Sequence, residues 1–333
     1  MSGHDIVVVG ASAGGVEALV ELTRVLPEDL PAAVLVVLHL PANGTSVLPQ
    51  ILARHGRLPA AQPVDGEQLR PGRIYVAPPD HHLLVGQGIV HVSNGPHENR
   101  HRPAIDPLFR SAALYYGPRV IGVVLSGTLD DGTAGLVAIK QRGGLAVVQD
   151  PADAAFPGMP ESALQHVAAD ECLPLSQLGA ALHRLVRLPS SPPGPVSDRL
   201  KQEVAVAEFA MQRIPGPAVP GASSGFACPE CHGVLFELRD GELIQYRCRV
   251  GHSYAPESLG ASQDDAVEAA LWTALRALEE KVDLCRRLQA RAGQNRPTAA
   301  KRFAARADEA ERRAETIRHV LLEQQPPQLE RDA

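Results

Sequence analysis

The first half of the chain is predicted to fold as an α/β domain with a doubly wound, mostly parallel sheet, followed by a small zinc-ribbon-like unit and a helical hairpin tail. Three observations lead there. From residue 5 to about 187, short apolar runs alternate with helix-like segments, as in a parallel sheet covered on both faces. Cys228-Pro-Glu-Cys231 and Cys248-Arg-Val-Gly-His252 then supply two closely spaced pairs of metal-ligand residues. Beyond them, two long segments at about 263–292 and 297–324 carry apolar residues at helical spacing, broken by Asn295-Arg-Pro297.

Ile6–Val9, Ala33–Leu40, Val120–Leu125 and Leu145–Gln149 are the strongest strand candidates, being apolar runs bounded by turn residues. Between residues 60 and 103, Arg73–Ala77 and Ile89–Val92 read as an inserted hairpin region. Leu188–Pro195 and Pro215–Gly225 have the proline-rich composition of stiff linkers. They bound one helix, Ser197 to Ile214, with Ser197-Asp198 as its cap. The expected divisions are therefore 1–187, a linker over 188–225, the Cys/His unit over 226–258 and the tail over 259–333.

The balance of 32 basic to 38 acidic residues, a net charge of −6, argues against phosphate-backbone binding, so no nucleic acid partner is expected. Residues 1–10 lack a basic segment, and the following apolar run is too short for a signal peptide or membrane insertion. A cytoplasmic protein is expected. Five cysteines, three of them within 21 residues (228–248), suit a reduced compartment and a metal site better than disulfides.

Ile6 to Val20 reads as strand, small-residue turn and helix start, and the turn holds Gly10-x-Ser12-x-Gly14. That spacing presents a serine above a sheet beside the N–H groups of a helix start, which can stabilise an oxyanion. A dinucleotide turn is disfavoured, because Gly10, Gly14 and Gly15 do not have the G-x-G-x-x-G spacing and the second strand ends in His39 where an acid would bind ribose. His39 is the one polar residue in an eight-residue apolar run, and Asp131 lies in Ser126-Gly-Thr-Leu-Asp-Asp-Gly132 just after another strand. Each alone reads as a strand-end or turn residue. Together they fall on the rim made by the carboxyl ends of parallel strands, and they supply the hydroxyl, imidazole and carboxylate of a nucleophilic hydrolase. The order Ser, His, Asp excludes an ordinary α/β-hydrolase.

These residues resemble the catalytic domain of the chemotaxis protein-glutamate methylesterases (CheB-type). The resemblance is carried by Gly10-Ala-Ser-Ala-Gly-Gly15, His39-Leu-Pro41, Tyr75-Val-Ala-Pro78, Asn99-Arg-His-Arg-Pro103 with Asp106 and Phe109, Ser126-Gly127 with Asp130-Asp-Gly132, and Phe156-Pro-Gly-Met-Pro160, in the family's order over residues 5 to about 185. It implies Ser12 as nucleophile, His39 as general base and acid, and Asp131 as the orienting carboxylate, with no cofactor for catalysis. The implied substrates are glutamate methyl esters on methyl-accepting chemoreceptors or similar signalling proteins, hydrolysed to carboxylate and methanol, with deamidation of receptor glutamines in some members. Arg100, His101 and Arg102 form a basic cluster beside the apolar Phe109; with Met159 of the last motif, Arg100, Arg102 and Phe109 are the expected substrate-binding residues. Two departures stand out. Thr128 and Leu129 occupy positions where the family has Met and Gly, and the catalytic segment begins within the first ten residues, so control by a phosphoacceptor domain in the same chain is not expected.

For the Cys/His unit, Cys228, Cys231, Cys248 and His252 make a closed four-ligand set for structural Zn²⁺, with His232 as the rival fourth ligand. A unit of about 30 residues is too small to hold a core without such a metal. Lying beyond a proline-rich linker, it is expected to stand apart from hydrolysis. In the tail, Val267, Leu271, Leu275 and Leu278 form an apolar stripe for packing or self-association, and Trp272 and Cys285 are expected in its core. Two other function classes remain in view. One is a catalytically idle receptor-binding module using the same cleft and the tail. The other, a zinc-dependent nucleic-acid binder, is disfavoured by the acidic balance.

Overall fold

A computed structural model describes residues 3–41, 44, 46–208, 221–293 and 295–323. It divides into two compact units, Met1–Leu259 and Gly260–Ala333. The first opens with β1 (Ile6–Ala11), α1 (Gly15–Val25), β2 (Ala33–Leu38), α2 (Leu48–His55), the two-residue β3 (Ala60–Ala61) and β4 (Ile74–Val76). A hairpin, β5 (His82–Val85) and β6 (Val90–Ser93), leads to α3 (Ile105–Tyr116). Next come β7 (Val120–Val124), α4 (Thr133–Gln141), β8 (Leu145–Gln149), α5 (Gly158–His166), β9 (Glu171–Leu173) and α6 (Leu175–Leu185).

Seven of these strands form one sheet in the order β3-β4-β2-β1-β7-β8-β9, every pairing parallel. Successive side chains on a strand point to opposite faces, and β1 displays this directly. Ile6 and Val8 join the core beneath α3 and α4, while Val7 and Val9 join the core beneath α1 and α6. The chain order turns back between β1 and β7, so the crevice at their carboxyl ends is the switch point of the sheet. Residues 73–77, expected within an inserted hairpin region, contribute a strand to the parallel sheet instead. Ile74–Val76 is buried and pairs with β2, and the hairpin is β5–β6 alone.

α7 (Asp198–Ala207) begins where expected, with Leu200 N–H donating to the Ser197 hydroxyl at 3.1 Å. The helix ends at Ala207, and residues 209–214 of the expected span lie outside the described residues. Then β10 (Ala222–Ala227), β11 (Val234–Asp240), β12 (Leu243–Cys248) and β13 (Ser253–Tyr254) form a four-stranded antiparallel sheet. Gly241, at φ 61°, makes the tight turn between β11 and β12.

This small sheet is seated on the first domain by polar contacts. Glu203 of α7 lies 3.5 Å from Arg110 of α3 and 3.8 Å from Arg247 of β12, all three buried. Asn99 N–H donates to Ser253 O at 2.8 Å, and Ser253 N–H to His97 O at 3.3 Å. These contacts bring the Cys/His unit, expected to stand apart from hydrolysis, against the first domain. A proline-rich segment limits how a chain bends, and says nothing about where its end docks.

α8 (Pro256–Ala292) leaves this unit, and α9 (Pro297–Glu323) follows it. Within Gly260–Ala333 the two helices pack through Leu275, Ala314 and Leu321, with Leu271, Leu278 and Ile317 around them. Arg318 pairs with Glu279, and Arg286 with Glu311. The stripe expected for packing or self-association thus packs on α9 through Leu271, Leu275 and Leu278, while Val267 is 53% exposed. Trp272, expected in the core, is 53% exposed, whereas Cys285 is buried. Among the described residues no helix is long and apolar enough to cross a membrane.

Candidate active site

β1, β2 and β7 each end at the switch-point crevice, and each delivers one polar side chain there. Ser12 follows β1 on a tight turn whose next glycine, Gly14, has φ 69°, a left-handed conformation that a side chain would strain. A Cβ at Gly14 would also press on Ala155 and on the Ser126 hydroxyl, each at 2.9 Å. His39 follows β2, and Asp131 follows β7 ahead of α4. The Ser12 hydroxyl lies 3.0 Å from His39 Nδ1, and His39 Nε2 lies 2.7 Å from Asp131 Oδ2. A carboxylate only accepts, so Nε2 carries the ring proton and Nδ1 is left to accept from the serine. An imidazole so held can take a proton from the hydroxyl while its own positive charge is met by the carboxylate.

The Asp131 carboxylate is the hub of the site. Besides His39, it accepts from Ile105 N–H at 2.7 Å, Asp106 N–H at 3.2 Å, Gly132 N–H at 3.0 Å and the Asn99 amide at 2.9 Å. Burial alone would raise its carboxyl, but the bonds from His39, Ile105 and Asn99 hold it well below the usual carboxylate range. Asp106, also fully buried, is pushed well above that range by burial and then by the Asp131 charge. The two neighbouring carboxyls are thus shifted in opposite directions. The Asn99 amide lies between them, donating to Asp106 at 3.0 Å as well.

Asp130, adjacent in sequence, faces elsewhere. Its oxygens accept from Ser258 Oγ at 2.5 Å and Glu257 N–H at 3.1 Å, and burial pushes its carboxyl up to about 6. Ser126 is likewise committed, since its hydroxyl donates to Ala13 O at 2.8 Å and accepts from Phe156 N–H at 3.0 Å. The turn also uses two of its own donors, Ser12 N–H bonding to Ser126 O and Gly15 N–H to Ser12 O, both at 2.9 Å. Gly127 packs so tightly against Ser12 that a Cβ there would fall 2.9 Å from the Ser12 Cβ and 2.1 Å from Met159 Sδ. Leu129, standing where the related motif has glycine, takes the left-handed φ of 64° that glycine adopts without cost.

The basic cluster read from the sequence is not three cations. The His101 ring stacks on His39 with centroids 3.6 Å apart, and burial together with the neighbouring His39 pushes it down to about 3, so it is neutral at physiological pH. Arg102 is turned to Asp80 at 2.7 Å and to Gly95 O at 3.0 Å, which fixes it within the loop. Phe109 and Met159 were expected to touch substrate, but both are wholly buried. Phe109 fills the core between α3 and β7, and Met159 backs Gly127 from beneath. Arg100 and Arg102 are both partly exposed, and Arg100 takes a left-handed φ of 73°.

The Cys/His unit gathers Cys228, Cys231, Cys248 and His252 with all ligand atoms within 4.8 Å of one another. Cys231 and Cys248 sulfurs are 3.6 Å apart, and His252 Nδ1 is 3.6 Å from the sulfurs of both Cys228 and Cys248. Bonds of about 2.3 Å to a tetrahedral centre give ligand separations of about 3.8 Å, so the donor set fits a closed structural metal site. His232 is exposed, at φ 59°, and lies outside this group.

Residues 7–182 match the profile of the family described as CheB methylesterase, more than half of the chain. The chain belongs to the CheB methylesterase family. Its curated relatives include a protein-glutamate methylesterase/protein-glutamine glutaminase 2 of Anaeromyxobacter dehalogenans, 41% identical over 183 residues that cover 55% of this chain and 54% of the relative. A protein-glutamate methylesterase/protein-glutamine glutaminase of Ralstonia nicotianae is 39% identical over 191 residues, covering 56% and 49%. The chain thus spans about half the length of the curated relatives it matches. Among solved structures, the Thermotoga maritima CheB methylesterase catalytic domain superimposes with a TM-score of 0.53 at 35% identity, covering 56% of this chain and 100% of that one. The family segment ends before α7 and the Cys/His unit, so the contacts that reach Asn99 and Asp130 from residues 253–258 come from outside it.

The sequence reading placed Asn99 and Asp106 in a motif but gave neither a role. Their signal was available, for an amide and an acid flanking the start of an otherwise apolar helix need buried partners.

Proposed function

We propose that this chain is a serine hydrolase that cleaves glutamate methyl esters on chemoreceptor-type signalling proteins, releasing methanol. The observation that carries the proposal is the continuous line from the Ser12 hydroxyl through His39 to Asp131, at 3.0 and 2.7 Å, inside the family segment. The names of the relatives support both the ester reaction and its amide counterpart.

Ser12 Oγ attacks the ester carbonyl carbon as His39 Nδ1 takes the hydroxyl proton, and the carbonyl oxygen becomes an oxyanion. The imidazolium, balanced by Asp131, then gives that proton to the leaving methoxide, and methanol departs from an acyl-serine. Water attacks the acyl carbon with His39 again as base, and the ester bond to Ser12 breaks. The glutamate carboxylate leaves and the proton returns to Ser12. A glutamine amide follows the same course with ammonia as the leaving group. His101, neutral and stacked, fixes the plane of the His39 ring without adding charge. Arg100 is the contact proposed for the acidic receptor helix.

Cys228, Cys231, Cys248 and His252 would hold one structural Zn²⁺ through three thiolates and one imidazole, the closed donor set of a structural site. When bound there, the metal would supply folding energy to the small sheet and no chemistry to the ester. The thiols suit a cytoplasmic location, where they stay reduced. The test of the reaction is methanol measured after incubating the intact chain with methylated receptor. Stoichiometric methanol with new receptor carboxylates is expected. Receptor left fully methylated over many hours at saturating enzyme would contradict the proposal.

A further inference from the structure

A chain of contacts only a few residues long joins the Cys/His centre to the carboxylate that holds His39. His252 turns Nδ1 toward the cysteine sulfurs and Nε2 toward Glu230, 3.9 Å away. Glu230 in turn accepts from His97 Nδ1 at 3.0 Å, so one carboxylate faces a candidate ligand and the first domain at once. Ser253, next after His252, exchanges backbone hydrogen bonds with His97 and Asn99. Ala255 N–H donates to Asn99 Oδ1 at 2.8 Å, and the Asn99 amide nitrogen donates to Asp131. Asn99 is itself 2% exposed and held at φ 48°.

A side-chain amide has one oxygen and one NH₂, and here the oxygen faces the Cys/His unit while the NH₂ faces the two buried carboxyls. Its orientation depends on both neighbours. The same loop carries His101 onto the face of His39, and is fixed at Glu98 by a buried pair with Arg110. A second tether joins the units where Asp130 accepts from Glu257 and Ser258.

We infer that metal occupancy of the Cys/His centre aligns Asp131 and His39 through Ser253 and Asn99, making the hydrolase metal-dependent although no metal touches the substrate. Asn99 is the positioning residue. Outer partners of a metal ligand orient it, and here the same partners reach the reacting groups. The inference rests on the proposed hydrolase and zinc readings.

The test uses the full chain, loaded with zinc, stripped by a chelator and reloaded, with zinc content measured at each stage. Labelling of Ser12 by a fluorophosphonate is followed across pH, and hydrogen exchange is read on peptides covering 6–11 and 97–106. Stripping is expected to slow labelling about tenfold, to deprotect 97–106 while 6–11 stays protected, and to be reversed by zinc. Because stripping also loosens the small sheet, Asn99→Gly, which keeps the left-handed backbone, serves as a second probe. The zinc-loaded variant should retain one metal, label about as slowly as the stripped parent, and lose little more on stripping. Its pH midpoint of labelling should move upward, because an Asp131 carboxylate with one donor fewer holds a protonated partner more tightly; a purely structural defect would leave the midpoint in place. Equal labelling rates and pH profiles with and without zinc would overturn the coupling alone. Absence of any labelling in the zinc-loaded parent would overturn it together with the hydrolase reading, and absence of bound zinc would overturn it at its first step.

Discussion

Replacing Ser12 with alanine is expected to slow ester hydrolysis by about a millionfold, the loss that follows removal of a serine nucleophile acting as a unit with its base. The fold should be unaffected. The Ser12 hydroxyl contacts His39, while the backbone bonds that shape the turn, Ser12 N–H to Ser126 O and Gly15 N–H to Ser12 O, do not involve it. The measurement is single-turnover methanol release from methylated receptor, with thermal unfolding as the control. Retention of more than a few per cent of the rate in a folded Ser12→Ala protein would mean that another group attacks the ester. Receptor affinity should be little changed, because the proposed receptor contact, Arg100, is on a different loop.

The second large effect is expected at Asp131. Asp131→Asn should reduce turnover by about 10⁴-fold, the cost when an amide leaves the histidine in the wrong tautomer. The geometry sharpens this. Asp131 Oδ2 accepts from His39 Nε2 and from Ile105 N–H, while Oδ1 accepts from Asn99 and two backbone N–H groups. Whichever way an asparagine turned, its NH₂ would point at donors. Asp130→Asn should leave turnover nearly intact, since Asp130 bonds Ser258 and Glu257 and makes no contact with His39. Steady-state turnover of both variants, compared at equal zinc content, checks the ranking. The reverse order would exchange the roles of the two acids.

Much of the fold was legible because a parallel sheet buried on both faces writes itself as unbroken apolar runs, as in Ile6–Val9 and Ala33–Leu38. His39 stood out as a polar side chain at the end of such a run, but alone it reads as a strand-end residue, and only its combination with Ser12 and Asp131 pointed to chemistry. The choice of Asp131 over Asp130 needed the family's motif, because adjacent acids before a glycine have the same local signature. Phe109 and Met159 were misread since an apolar residue in a motif has one composition whether it lines a cleft or supports it from below. β4 was misplaced because Ile74–Val76 is too short to declare its partner, and its pairing with β2 is set by the sheet. The seating of the Cys/His unit lay beyond sequence reasoning altogether. Asn99 and Ala255 are 156 residues apart in the chain, and nothing local to either announces the bond between them.

The most direct measurement of the central claim is peptide mapping, by mass spectrometry, of the intact zinc-loaded chain after reaction with a fluorophosphonate. One adduct is expected, on Ser12, formed because His39 draws the proton from that hydroxyl and from no other. An adduct on Ser126, or an unmodified Ser12 in a chain that still releases methanol from receptor, would contradict the assignment of the nucleophile.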